Sequence, residues 1–169
     1  TFEGSKFSTS RKHGVWVCEL LSCKKVDRDV LRYYLSSICP EESSRAFLVE
    51  QYIQFNNIGP AREFYNSIQH AHELLTVARP IISTQIYCPP DLIELFLLPW
   101  STADLNNLSV SSVIKGMESW VAQYSRFMGD QQGALIYLYG LSILAYPVLP
   151  GVATVLWTGL GLTGLPSLT

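Results

Sequence analysis

Residues 131–169 contain no Asp, Glu, Lys or Arg, although the chain of 169 residues carries 12 basic and 14 acidic side chains, all between Glu3 and Asp130. An uncharged, mostly apolar terminal stretch makes poor surface for a protein surrounded by water, so it has to be covered by something. Residues 133–165 exceed the ~20 apolar residues that a helix needs to cross a bilayer. Pro147 and Pro150 interrupt this stretch and each removes a helix hydrogen bond. The leading expectation is one kinked membrane span over residues 134–158. A re-entrant hairpin turning at 147–150, and a tail buried in a large assembly, are the alternatives.

Tyr137 and Tyr139 precede Trp157 by about one bilayer thickness of helix, which suits the two interfacial belts, and Trp100 is a further candidate for the interface. Gly151, Thr154, Thr158 and Gly161 are spaced three, four and three apart, a stripe of small residues where a partner helix can approach closely. Pro147 and Pro150 mark the kink.

Upstream, the periodicity is helical. Val26, Val30, Leu31, Tyr34, Leu35 and Ile38 recur at steps of three and four, with Asp27 as the cap and Cys39-Pro40 as the stop. A second helix is expected after Pro40, with Glu41 and Glu42 beside its positive end. Pro60 opens a third, with Ala61, Phe64, Ile68, Ala71 or His72, and Leu75 on one side. Gly59-Pro60 allows only a tight corner, so these two helices should be antiparallel. Residues 91–98 read as a short helix, 101–110 as a polar linker and 111–128 as a further helix. The ten residues 14–23 fit a helix or a strand equally well.

Residues 1–13 are polar and begin at Thr1 rather than Met. They read as the end of an organellar presequence region or as a plain polar arm. Seven cations against four acids make residues 1–32 mildly basic; a solvated face is preferred, with anionic lipid or an acidic subunit as the alternative partner.

Chemical motifs do not hold up on inspection. Gly159-Leu160-Gly161-Leu162-Thr163-Gly164 spells a dinucleotide fingerprint, but it lacks the helix and the acid that should follow. His70 and His72 stand about 200° apart around a helix and do not converge on a metal; one is expected half-buried and the other solvated. Cys18, Cys23, Cys39 and Cys88 form no zinc pattern and are read as thiols, a bridge from Cys39 to Cys18 or Cys23 being the alternative.

The sequence therefore predicts an all-α protein in three parts. These are a polar arm (1–13), an irregular helical extramembrane domain (14–128) and an uncharged, proline-kinked membrane anchor (131–169). The expected role is a non-catalytic accessory subunit of a large organellar membrane complex, such as a respiratory complex or ATP synthase. It would lie in the mitochondrial inner membrane with its helical domain in the matrix. Its partners would be other subunits and lipid, with no nucleic acid, cofactor or metal. A tail-anchored adaptor that recruits soluble partners is the alternative.

Overall fold

The computed structural model describes residues 1–22, 26–39, 41, 45–76, 90, 93–94, 96–97 and 109–167. Among them the chain is all-α, its only extended pairing being isolated bridges near the N-terminus. The helices are α1 (Val17–Ser22), α2 (Arg28–Ser37), α3 (Val49–Asn57), α4 (Pro60–Thr76), α5 (Val110–Ala122), α6 (Tyr124–Phe127), α7 (Gln131–Ala145) and α8 (Pro150–Gly159).

Local chemistry explains several of the boundaries. The Asp27 carboxylate accepts the Asp29 and Val30 N–H groups at 2.8 and 3.0 Å, Ser109 Oγ accepts the Ser112 N–H at 3.0 Å, and Asp130 accepts the Gly133 N–H at 2.7 Å. Each satisfies a donor that a helix start leaves orphaned. Pro60 and Pro150 stand first in α4 and α8, where the missing proline N–H costs no intrahelical bond.

The second helix starts later than expected. Residues 45–48 are taken up by the N-terminal segment: the Phe47 N–H donates to the Thr1 carbonyl and the Glu3 N–H to the Phe47 carbonyl, both at 2.9 Å. Glu41 serves a different helix from the one expected. Its carboxylate accepts the Ser109 hydroxyl and the Val110 N–H, both at 2.6 Å, at the start of α5. Those hydrogen bonds, the one from Ser109 foremost, hold its carboxyl below the usual glutamate range. Phe96 is buried against Trp120, ring centroids 5.8 Å apart, while Trp100 and most of the expected 101–110 linker lie outside the described residues. Cys18 and Cys39 are free thiols; Cys23 and Cys88 are also outside the described set.

No described helix is long and apolar enough to cross a membrane. The expected span over 134–158 is instead two helices, and α7, at 15 residues, is about 22 Å long against a hydrocarbon core of ~30 Å. The absence of charge has another cause. Helix α7 is buried on nearly every side by the rest of its own chain, with Ala134, Tyr137, Leu141 and Leu144 fully enclosed. Tyr137 stacks on Trp120 with their planes 9° apart, the Trp120 Nε1–H donates to the Tyr137 carbonyl at 3.1 Å, and the Tyr137 hydroxyl donates to Ser67 Oγ at 2.6 Å. A helix that is apolar all round belongs either in lipid or in a protein core, and periodicity alone does not distinguish the two.

The corner between α7 and α8 is held from α2. Val148 and Leu149 N–H groups both donate to the Ala145 carbonyl, which turns the chain at exposed Pro147. Arg32 Nε donates to the Val148 carbonyl at 2.9 Å, and buried Asp29 accepts the Val152 N–H at 2.7 Å. Gly151 makes room for that carboxylate, since a Cβ there would lie 2.6 Å from Asp29 Oδ2. Replacing Asp29 by Ala should lower the unfolding free energy by about 1–3 kcal/mol. Asn, which keeps an acceptor, should recover part of the loss. Urea denaturation followed by circular dichroism measures both, and equal stability of all three proteins would show that the contact contributes nothing.

Candidate functional site

Residues 1–14 are two tight turns rather than a loose arm. Phe2 and Ser5 exchange backbone hydrogen bonds at 3.0 Å around Glu3 and Gly4, which have φ of 47° and 74°. Ser8 and His13 exchange another pair at 3.0 and 2.9 Å, and the Lys12 N–H donates to the Thr9 carbonyl with Lys12 at φ 52°. Glu3 and Lys12 are the two non-glycine residues with left-handed backbone among the described residues. Such conformations persist only where surrounding contacts enforce them, and they concentrate at functional sites. The contacts are visible here. His13 Nε2 donates to the Phe2 carbonyl at 3.0 Å and ties the second turn to the first. The Phe2 ring stacks on Phe47, centroids 6.1 Å apart, and ties both turns to the helical body.

The loop is electrostatically one-sided. Lys6, Arg11 and Lys12 are exposed, and among the described residues no carboxylate forms an ion pair with them. Glu3, the one acid in residues 1–13, is engaged elsewhere: its Oε1 accepts the Val49 N–H at 2.7 Å, at the start of α3. Ser8, Thr9 and Ser10 supply hydroxyls between the cations, with Ser8 and Ser10 Oγ atoms 3.3 Å apart. Cations, hydroxyls and backbone N–H groups on a constrained turn form a donor set suited to phosphate oxygens.

A second concavity, a cleft of about 460 Å³ between α4 and the α5–α6 corner, includes Glu63, Asn66, His70 and Tyr124 in its lining. Behind it Tyr33 donates to Glu118 Oε1 at 3.2 Å. Burial pushes the Glu118 carboxyl up, the Tyr33 hydrogen bond opposes this and neighbouring Glu63 reinforces it. Burial also raises Tyr33, with the Glu118 charge adding to the effect. Glu63 lines this cleft, which sets it apart in charge from the basic loop. His70 and His72 are both exposed on α4, and the His70 ring meets Tyr124 edge-on at 6.3 Å.

The residues singled out in the tail sit as follows. Gly151 lies over Asp29. Thr154 and Thr158 hydroxyls donate to carbonyls of their own helix, those of Pro150 and Thr154, at 2.7 and 2.9 Å. Gly161 has φ 78° in the turn after α8. Pro147 and Pro150 bracket the α7–α8 corner. Tyr137 and Trp157 are buried, and the hairpin brings Tyr139 and Trp157 rings to 5.4 Å. Sequence reasoning missed the loop of residues 1–14. Its signal was present as Gly4 and Gly14 flanking an alternation of hydroxyl and basic residues.

Residues 1–72 match the family described as tRNA synthetases class I (M). The matched part is less than half of the chain and includes the whole loop. Among curated relatives, the methionine–tRNA ligase of Pyrococcus furiosus is 49% identical over 47 residues, 28% of this chain and 6% of the relative. That of Dehalococcoides mccartyi is 42% identical over 57 residues, 34% of this chain and 10% of the relative. That of Bifidobacterium animalis subsp. lactis is 35% identical over 75 residues, 44% of this chain and 12% of the relative. The chain thus spans a small fraction of the length of the relatives it matches. No solved structure matches.

These matches overturn the expected accessory subunit of a respiratory complex or ATP synthase. Similarity to ligases that act on tRNA runs against a non-catalytic role and against the exclusion of nucleic acid. The expected mitochondrial inner-membrane location and the partnership with lipid and membrane subunits rested on a span that no described helix provides. The tail-anchored adaptor loses its support for the same reason.

The Glu118 environment has a consequence for stability. Its carboxyl holds a proton in the folded chain at pH values where the unfolded chain has released it. This group's contribution to stability therefore falls as pH rises through that window, from the ordinary glutamate value upward. Glu118→Gln, which can still accept from Tyr33, should gain stability relative to the parent between pH 4 and pH 7. Urea midpoints at the two pH values test this, and a constant difference would contradict it.

Proposed function

We propose that the chain is a part of a class I aminoacyl-tRNA synthetase, or of a protein descended from one, and that its loop of residues 1–13 receives phosphate groups of tRNA. The observation that carries the reading is the position of the constrained basic loop, without an ion pair among the described residues, inside the segment that matches tRNA synthetases. Glu3 is turned to α3 and the loop cations form no ion pair among the described residues, so an external polyanion is a natural counter-charge. Methionine–tRNA ligation is proposed for the protein as a whole, with this chain contributing tRNA-facing surface on a helical support. The uncharged tail supplies that support: α7 packs against α4 and α5, and α8 is held by α2, the helix that follows the loop and α1.

The test is salt-dependent binding of tRNA to the chain. Each phosphate neutralised contributes roughly 0.7–0.9 to the slope of log affinity against log salt. Lys6→Gln, Arg11→Gln and Lys12→Gln together should weaken binding and reduce that slope by about 2. Filter binding at several salt concentrations measures it. Absence of tRNA binding by the parent chain, or an unchanged slope, would remove the reading.

A further inference from the structure

We draw no further inference here: the strongest candidate, the cleft between α4 and the α5–α6 corner lined by Glu63, Asn66, His70 and Tyr124, carries nothing because its buried Ser67 hydroxyl is already bonded to Tyr137 and to the Phe64 carbonyl, and nothing in the structure shows which ligand would fill it.

Discussion

Two side chains one turn apart on α2 replace a single missing helix hydrogen bond, and the arrangement of the tail depends on them. In an uninterrupted helix the Val152 N–H would donate to the Val148 carbonyl. Here the chain turns between them, and both groups would be left in a largely buried corner, where an unpaired backbone group costs a few kcal/mol. Asp29 accepts the N–H and Arg32 supplies a donor to the carbonyl. The carboxylate also lies at the positive end of α8, where a negative charge is favoured. Asp29 is buried, and Gly151 leaves room for its carboxylate beside the Val152 N–H. Residues 29 and 32 lie inside the segment that matches tRNA synthetases, whereas the corner they hold lies far outside it.

The same device recurs at other helix starts. Glu3 reaches the start of α3, and Glu41 reaches the start of α5. Carboxylates from early in the chain thus satisfy donors on helices that fold from later residues, which joins the two parts of the sequence through backbone groups. For Glu3 this has a further effect on the loop: with its one acid committed to α3, the loop's cations have no ion-pair partner among the described residues. A loop with left-handed backbone at Glu3 and Lys12, anchored through Phe2 and His13, then holds the backbone of those cations in one shape. A loop whose backbone is already ordered loses less entropy on binding an anion than a flexible arm would.

The loop and the cleft differ in charge. The cleft beside α4 carries Glu63 and disfavours an anion. The N-terminal loop attracts one. On the proposed reading, an RNA would meet the loop rather than the cleft.

Much of the helical fold was legible along the chain, because short-range chemistry sets it. Asp27 caps α2, Pro60 opens α4, and Ala61, Phe64 and Ala71 repeat at the spacing of one helical side. The charge-free tail was also evident, and so was its need for cover. What covers it was decided only in three dimensions. Lipid and a protein core impose the same demand on side chains, and the difference lies in which surfaces come within contact distance of Trp120, Tyr137 and Leu141. The loop was hidden for a related reason. Lys6, Arg11 and Lys12 read as an ordinary solvated arm until folding assigns Glu3 to a helix 46 residues away, since a charge becomes a site only when its internal partner is taken elsewhere. Sequence alone determined that this chain is helical and that its tail calls for cover; tertiary contacts determined that α7 is buried in its own fold with α8 folded back beside it, because Asp29 and Arg32 supply the two hydrogen bonds that the corner lacks.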